Sequence, residues 1–366
     1  MSKKILIATG GTGGHIYPAM ALAQQFAREC QDTKVLFIGG GLSKNRYFDR
    51  SAFDYRTVPC GAFTDKSPVS LLRSCMNICR GIWQSLAIIR EFKPDVAVGF
   101  GSYYSFPPLI AAKMQSVPLV LHEANSIPGK VNRLLAPFAS ATGVHFPKTL
   151  ELIKGIKCEV GMPLRKGFQK GNILASEARK YFGLSEKKAT LLVFGGSQGA
   201  DFINRQVQSA LKGIKSSRQM QIIHISGDPR QVESLQKAYK YLSIPACVKP
   251  FEDHMELAWQ AADFVISRSG ASSIAEQLEF EVPGILIPFP RAADDHQNHN
   301  ADFLVKTVGG AMKIQENQIT PEKLGEMISD LLDNNGILSD NMRFAMREYK
   351  RTKRSCDLYT LILNRF

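Results

Sequence analysis

A histidine at the end of a glycine-rich turn is the first group in the chain that can do chemistry. His15 closes the segment GGTGGH at residues 10–15, soon after the apolar run ILIA at residues 5–8. An apolar run, then glycines, then an amphipathic stretch predict a buried parallel strand, a turn and a helix. Glycines leave the backbone and the helix N-terminus open to a ligand. The histidine is therefore expected at the mouth of a binding site.

The same turn argues against two common nucleotide-binding loops. A P-loop requires Gly-Lys-Ser/Thr after its glycines, whereas Gly14 is followed by His15 and Ile16. A dinucleotide fingerprint that starts at Gly11 finds Ile16 where its third small residue belongs. The second strand also runs into glycines at residues 39–41 instead of an acidic residue. We expect neither a Walker NTPase nor NAD or FAD binding at this turn.

A second glycine turn, GGSQGA at residues 195–200, repeats the scheme after the apolar run at residues 191–194. Its N–H groups, the Ser197 hydroxyl and the positive end of the following helix suit a phosphate. A simple strand-to-helix turn is the alternative. A later turn, RSGASSIAE at residues 268–276, places Glu276 three residues after Ser273. This carboxylate either completes a helix capping box or accepts both hydroxyls of a ribose.

Residues 288–301 form a polar cluster directly after another predicted strand. Its carboxamides, histidines and carboxylates are typical of sites that bind sugar hydroxyls. Four of its side chains also resemble metal ligands: Asp294, Asp295, His296 and His299. No further ligand has a recognisable spacing, so the cluster does not indicate a metal site.

The polar loops of the first half follow predicted strands in the same way, at residues 99–105 and 122–129. Ligands of parallel sheets bind beyond the carboxyl ends of the strands. His122, Glu123 and Asn125 are therefore candidate site residues. Capping and turn chemistry before a helix that begins at Lys130 is the alternative.

The elements that position these residues alternate between strand and helix in each half. Strands are predicted at residues 34–38, 55–58, 95–99, 119–121, 141–144, 191–194, 221–226, 246–249, 264–267, 284–288 and 311–314. This alternation predicts two Rossmann-like, doubly wound parallel sheets. The segment GMPLR at residues 161–165 is interpreted as the seam between them.

Length and composition indicate two domains without a membrane span. The chain has 366 residues, of which 44% are hydrophobic and 22% charged, and this length exceeds that of one hydrophobic core. No segment approaches the roughly 18 apolar residues of a span. The first apolar run meets glycines too early for a signal peptide, so the chain is expected in the cytoplasm. Seven scattered cysteines without a Cys-x-x-Cys pair indicate neither a disulfide framework nor a zinc site.

A formal net charge of +13 predicts an anionic partner. No nucleic-acid-binding module is recognisable, so nucleic acid is not expected to be that partner. The basic residues concentrate in a helical stretch at residues 343–354 and in an amphipathic stretch at residues 70–93. The second stretch suits a protein that lies on an anionic membrane surface, and an ordinary helix packed on the sheet is the alternative.

Seven segments in this order resemble the MurG family of peptidoglycan N-acetylglucosaminyltransferases. They are GGTGGH (10–15), GFGSY (99–103), HEAN (122–125), GMPLR (161–165), GGSQGA (195–200), RSGA (268–271) and DHQ with NA (295–297 and 300–301). One glycine-rich loop would be weak evidence. The order and spacing of seven segments over nearly the whole chain are specific.

The resemblance implies an α/β protein of the GT-B class, with two Rossmann-like domains facing a cleft. It implies transfer of N-acetylglucosamine from UDP-GlcNAc, with inversion, to the C4 hydroxyl of the muramyl sugar in lipid I (undecaprenyl-pyrophosphoryl-MurNAc-peptide). The product is lipid II, made at the cytoplasmic face of the inner membrane by a peripheral enzyme. Residues 1–162 with about 340–366 would form the acceptor domain that faces the anionic membrane, and residues 163–339 the donor domain.

The resemblance also implies roles for single residues. His15 would be the general base, or would orient the acceptor hydroxyl. Ser197, Arg165 and Arg268 would neutralise the UDP leaving group, Glu276 would hold the ribose, and the backbone near Phe251 and Glu252 would bind uracil. Other residues would contact the substrates: Thr12, Gly13, Gly14, Tyr103, Asn125, Ala271, Ser272, Ser273, His296 and Gln297. No cofactor or bound metal is required; stimulation by a divalent metal and contacts with other cell-wall synthesis proteins are left open.

Three positions depart from the family pattern. Ala124 replaces the glutamine usual in the HEQN segment, and Ser102 replaces a glycine before Tyr103. Glu252 stands where an isoleucine is common, a change that a backbone contact tolerates. Two alternatives remain: another GT-B enzyme, such as a diacylglycerol glucosyltransferase or a UDP-GlcNAc 2-epimerase, and a nucleotide-sugar-binding regulator without turnover.

Overall fold

Two compact units make up the chain. The computed structural model describes residues 3–30, 32–61, 67–196, 200–214, 220–333, 336–353 and 356–365. The first unit comprises Met1–Lys166 and Arg354–Phe366, and the second comprises Gly167–Lys353. No helix among the described residues is long and apolar enough to cross a membrane.

The first unit is built on a parallel sheet of seven strands in the order β3-β2-β1-β4-β5-β6-β7. The strands are β1 (Lys4–Ala8), β2 (Lys34–Gly39), β3 (Asp54–Thr57), β4 (Val96–Gly99), β5 (Leu119–Glu123), β6 (Ala141–Val144) and β7 (Lys157–Glu159). The helices between them are α1 (Gly13–Glu29), α2 (Pro68–Phe92), α3 (Phe106–Met114), α4 (Lys130–Leu135) and α5 (Thr149–Leu152).

Alternation along β1 explains why helices cover both faces of this sheet. Ile5 and Ile7 are fully buried in a cluster with side chains of α1, whereas Leu6 and Ala8 lie in a second cluster with side chains of α2, α3 and α4. Successive side chains of a strand point to opposite faces. An unbroken apolar run therefore needs apolar cover on both sides, and α2, α3 and α4 share one of them.

The second unit is built on a parallel sheet of six strands in the order β10-β9-β8-β11-β12-β13. The strands are β8 (Ala189–Phe194), β9 (Met220–Ile225), β10 (Ala246–Lys249), β11 (Phe264–Ser267), β12 (Gly284–Leu286) and β13 (Ala311–Lys313). The helices are α6 (Ala175–Tyr181), α7 (Asp201–Leu211), α8 (Pro229–Tyr241), α9 (Met255–Ala261), α10 (Ala271–Phe280), α11 (His296–Asp302), α12 (Pro321–Asp333) and α13 (Ile337–Thr352). A π-helical turn, Phe303–Val308, extends α11.

The chain returns to the first unit later than the sequence predicts. The predicted boundary lay at about residue 340, but α13 belongs to the second unit and the return begins at Arg354. In α13, Arg343 donates a hydrogen bond to the Asp263 carbonyl at 2.7 Å, and Lys350 donates one to the Glu279 carbonyl at 2.7 Å. These contacts hold the helix to the second unit. The final helix, α14 (Leu358–Leu363), then packs in the first unit, where the rings of Tyr359 and Phe26 are 4.6 Å apart.

The predicted strands agree with the observed strands to within two residues at each end. The exception is β7, whose sequence, Lys-Cys-Glu, lacks the apolar run that marks the other strands. It pairs with β6 at the edge of the sheet. An edge strand does not need the apolar signature of a central one.

Candidate functional site

The glycine turn of the first unit joins β1 to α1. Gly11 has a φ of +89°, a conformation that favours glycine, and Asn45 Nδ2 donates a hydrogen bond to its carbonyl at 2.7 Å. A Cβ atom on Gly10 would lie 2.5 Å from Tyr104 Cβ. The turn therefore needs glycines for its own conformation and for the close approach of a neighbouring loop.

His15 lies in the first turn of α1 and is half-buried. Its Nδ1 atom is 3.5 Å from the Thr12 hydroxyl, and the Thr9 hydroxyl donates to its carbonyl at 3.1 Å. A base that acts through Nε2 must carry its hydrogen on Nδ1, the atom that faces Thr12. The Thr12 hydroxyl can accept a hydrogen bond from Nδ1 in that tautomer, so the contact is compatible with a general base. Gly13 and Gly14 begin the same helix.

A second histidine, His122, is buried at the end of β5. Burial, and to a smaller extent the positive charge of His15, lower the pKa of His122 to about 3. The ring is therefore neutral at physiological pH. Its centroid is 5.3 Å from that of Phe100, and its Nε2 atom has no hydrogen-bond partner among the described residues. His122 is therefore a buried, neutral neighbour of His15.

Glu123 organises the loop that follows β5. Its carboxylate accepts hydrogen bonds from the backbone N–H groups of Asn125 and Gly129 and from Asn132 Nδ2, each at 2.9 Å. The interpretation as turn chemistry is therefore confirmed for Glu123. The Asn125 amide also approaches the carboxylate, at 3.5 Å. Its predicted contact with the substrate stays a prediction.

The loop after β4 separates two tyrosines that are adjacent in sequence. Tyr103, the predicted acceptor-side residue, is half-buried and packs against the core cluster beneath α2 and α3. Tyr104 is 40% exposed and lies against Gly10 and Gly11. Sequence reasoning missed Tyr104, because only the three-dimensional path of the loop shows which tyrosine faces the turn.

Arg165 belongs to the first unit, where its guanidinium lies 4.2 Å from the centroid of the Tyr17 ring. Tyr17 is part of α1, the helix that carries His15. The cation–π contact orients the arginine relative to this helix. Its predicted role toward the UDP leaving group is not tested by this contact.

The second glycine turn follows β8, as predicted. Gly196 has a φ of +83°, and a Cβ atom there would meet nothing within 4 Å. The turn therefore needs glycine for its backbone conformation. Ser197 lies outside the described residues, and α7 begins soon afterwards at Asp201.

Arg268, which is predicted to neutralise the UDP leaving group, makes several contacts inside the second unit. The side chain is buried, and its Nη1 atom donates to the carbonyls of Ile287 and Pro288 at 3.2 and 3.1 Å. Its Nη2 atom forms an ion pair with Glu316. The described contacts therefore support a structural role, in which Arg268 holds the segment after β12 next to the loop after β11.

The first turn of α10 contains Ala271, Ser272 and Ser273, with Gly270 as the N-cap. The predicted capping box is wrong, because Ser273 is the third residue inside the helix. Instead, Glu276 Oε2 accepts a hydrogen bond from the indole N–H of Trp259 at 2.8 Å. This contact orients the carboxylate.

The segment that begins α11 is tied to the loop after β11. The Ser269 hydroxyl donates to the Gln297 carbonyl at 2.7 Å, and Asn300 Nδ2 donates to the Ser269 carbonyl at 3.1 Å. His296 donates from Nδ1 to the Ala293 carbonyl at 2.7 Å, because a carbonyl oxygen can only accept. The structure therefore brings the RSGA and DHQ segments together, as a shared sugar-nucleotide site requires.

The side chain of Glu252 makes contacts within the second unit. The side chain is buried, Lys249 Nζ is 2.6 Å from Oε2, and the His254 backbone N–H donates to Oε1 at 2.9 Å. Only the backbone of this residue remains for the predicted contact with uracil. The described residues also contain no group of three or more His, Cys, Asp or Glu side chains that could hold a metal ion.

Two family models match the chain. The glycosyltransferase family 28 N-terminal domain matches residues 5–144, and the glycosyltransferase family 28 C-terminal domain matches residues 190–354. A relative from Protochlamydia amoebophila is 50% identical over 364 residues, which cover 100% of this chain and 96% of the relative. That relative is named UDP-N-acetylglucosamine–N-acetylmuramyl-(pentapeptide) pyrophosphoryl-undecaprenol N-acetylglucosamine transferase.

Solved structures agree with the predicted fold class. The crystal structure of Acinetobacter baumannii MurG is 25% identical, with a TM-score of 0.77 over 99% of this chain and 98% of that chain. Phytolacca americana UGT2, solved with UDP-2-fluoro-glucose and pterostilbene, is 12% identical, with a TM-score of 0.69 over 99% of this chain and 98% of that chain. The second likeness concerns the fold alone. Together with the two parallel sheets, these likenesses confirm the GT-B class.

Proposed function

Because the chain belongs to glycosyltransferase family 28, we propose that it transfers N-acetylglucosamine from UDP-GlcNAc to lipid I and so makes lipid II. The observation that carries the proposal is the 50% identity to the named transferase over the whole chain. The half-buried position of His15 in the first turn of α1, directly after the glycine turn, supports the proposal.

His15 is the catalytic base of the proposed reaction. The C4 hydroxyl of the muramyl sugar gives its proton to Nε2, and its oxygen attacks C1 of N-acetylglucosamine. The bond from C1 to the β-phosphate oxygen breaks, and UDP leaves with the electron pair. This single displacement inverts the configuration at C1. A base of this kind contributes roughly 10²- to 10⁴-fold to the rate.

The second unit holds the donor in this proposal. Glu276, oriented by Trp259 at 2.8 Å, accepts the ribose hydroxyls. His296 and Gln297 contact the hydroxyls of the N-acetylglucosamine, and the turn that contains Ser197 binds the diphosphate. Arg165 neutralises charge on the leaving group, whereas Arg268 keeps the polar segments of this unit together.

An anionic membrane is the surface on which the enzyme meets its lipid-linked acceptor. The outer side of α2 exposes Leu72, Met76 and Trp83. Arg73 and Arg80 are exposed on the same helix. Apolar side chains that enter the interface, with cations among the head groups, favour binding to a membrane surface. In this proposal the cytoplasmic face of the inner membrane contains lipid I and the anionic lipids that attract these cations.

The test is release of UDP from UDP-GlcNAc, measured with and without a lipid I analogue. We expect acceptor-dependent release that falls at least a hundredfold in His15→Ala, because the variant loses the base. The control is Tyr241→Ala, which removes an exposed side chain at the end of α8, a helix to which no substrate contact is assigned. Release without acceptor would instead indicate an epimerase or a hydrolase. UDP binding without release would indicate a regulator.

A further inference from the structure

The ring of Tyr104 lies on the glycines of two loops. A Cβ atom on Gly11 would be 3.2 Å from Cδ2 and 3.3 Å from Cε2 of this ring, and one on Gly10 would be 3.1 Å from its Cγ. A Cβ atom on Gly40 would also collide with the ring. Only glycines allow the ring to approach the backbone so closely. Although it packs here, the side chain is 40% exposed.

The backbone of Tyr104 is anchored from two sides. Its carbonyl accepts a hydrogen bond from the Gly40 N–H at 3.1 Å and one from Cys60 Sγ at 3.3 Å. Its N–H donates to the Ser102 hydroxyl at 3.4 Å. These contacts fix the position of the ring over the turn.

The backbone of Ser102 is strained. Its φ of +73° and ψ of 150° lie in a region that is almost restricted to glycine. Strain of this kind costs of order 1–3 kcal/mol and persists where the surrounding structure imposes it. Ser102 directly precedes Tyr103 and Tyr104. Its strained backbone is therefore part of the turn that directs Tyr104 toward the glycines.

The Tyr104 hydroxyl makes no hydrogen bond to any residue that the structure describes, and the residue is exposed to solvent. Tyr103, by contrast, packs against the core. An exposed aromatic ring, held rigidly by glycines, is a surface on which the apolar face of a sugar can stack. The ring face carries partial negative charge and attracts the C–H groups of that face.

We propose that the Tyr104 ring is the platform on which the muramyl sugar of the acceptor stacks. This inference rests on the proposed function, because it assigns a binding residue for the same acceptor. Gly10 and Gly11, two of the glycines beneath the ring, belong to the turn that leads into α1 and His15. A sugar that stacks on Tyr104 is thereby held next to the segment that carries the base.

The test is steady-state kinetics of Tyr104→Ala and Tyr104→Phe, with UDP-GlcNAc and a lipid I analogue that has a shortened prenyl chain. We expect Tyr104→Ala to raise the KM for the acceptor about three- to tenfold, the range that one aromatic stacking contact contributes. The KM for UDP-GlcNAc is expected to stay within twofold. Tyr104→Phe keeps the ring face and is expected to keep the acceptor KM within twofold.

The matched control is Tyr241→Ala, which removes an exposed tyrosine at the end of α8. If Tyr104→Ala does not fold, Tyr104→Leu retains apolar cover over the glycines and is judged by the same criterion. A rise in acceptor KM of less than threefold would overturn the proposal. So would an equal rise of both KM values, or a loss in Tyr104→Phe as large as that in Tyr104→Ala. A wild-type enzyme without acceptor-dependent release would instead refute the proposed function.

Discussion

Helices α2 and α13 are both basic and amphipathic, yet they use their charge in opposite ways. In α2, large apolar side chains and arginines lie together on the exposed side. In α13, the basic side chains reach carboxylates of the second unit or of the helix itself. The content of basic residues in a segment therefore does not show whether its charge is free for a partner. That depends on whether neighbouring carboxylates already form ion pairs with the basic side chains.

The charge of α13 converges on one buried carboxylate. Glu281 follows α10, and its backbone is in a left-handed conformation. Its carboxylate forms ion pairs with Lys170 at 2.5 Å, Arg347 at 3.3 Å and Lys350 at 3.5 Å. Burial opposes ionisation of Glu281, but the hydrogen bond from Lys170 and the charges of the three cations outweigh it and hold the pKa below its usual value. The cations of α13 thus stabilise the second unit.

Small residues form much of the buried side of α2, and several of its large apolar residues remain exposed. Ser74, Gly81 and Ser85 are among its buried residues. A Cβ atom on Gly81 would lie 3.0 Å from Pro107 Cβ of α3, so the two helices pack closely. Arg73 and Arg80 form no ion pair with any carboxylate in the described part of the chain. The outer side of α2 is therefore both apolar and cationic.

The largest effect is expected from charging the apolar side of α2. Replacing Leu72, Met76 and Trp83 by glutamate removes three apolar groups from the interface and adds three charges that anionic lipids repel. We expect binding to phosphatidylglycerol-rich vesicles to fall at least a thousandfold in a sedimentation assay. The control replaces the exposed Ile337 and Phe344 of α13 by glutamate. Equal losses in both sets would contradict the distinction between the helices.

The second effect comes from the arginines of α2. Changing Arg73, Arg80 and Arg90 to glutamine is expected to weaken vesicle binding about a hundredfold at low ionic strength, at about 1 kcal/mol for each charge. The difference from the wild type should shrink as salt is added, because salt screens exposed charges. A loss that salt does not change would show that the arginines act through the fold.

A smaller effect is expected when the centre of the α13 network is removed. Glu281→Gln should lower the free energy of unfolding by about 1–2 kcal/mol, measured in urea, because the buried carboxylate is lost while its cations are partly solvated. The control is Glu348→Gln, whose partner Arg351 is exposed on the same helix. Vesicle binding should not change in either variant. Stronger vesicle binding by Glu281→Gln, in which Arg347 and Lys350 lose their partner and can pair with anionic lipids, would place α13 at the membrane.

The smallest effect is the pH dependence of this network. Because the pKa of Glu281 is lower in the folded state than the ordinary value of 4.5 for a glutamate, its contribution to stability is complete above pH 4.5. It is lost as the pH falls through the folded pKa. The difference in unfolding free energy between wild type and Glu281→Gln should therefore shrink below pH 4.5. A difference that stays constant down to pH 3 would mean that Glu281 is not the titrating group.

The two parallel sheets, and the places where their loops carry polar residues, could be predicted from local patterns in the sequence. Apolar runs such as residues 5–8 require cover on both faces, and the glycines after them require a turn at the carboxyl edge. The position of His15 followed from that local pattern. So did the turn chemistry of Glu123, because its partners lie within nine residues along the chain.

Which polar groups already have partners could not be predicted from local patterns, because it depends on contacts between distant parts of the chain. Arg268 reaches carbonyls nineteen and twenty residues away, and Glu276 is bonded to Trp259 from another helix. Tyr104 is distinguished from Tyr103 by glycines of two distant loops. Hydrogen bonds and packing between residues far apart in sequence leave no periodic signal. Local pattern therefore predicted where the loops lie, and long-range contacts decided which side chains remain available to a substrate.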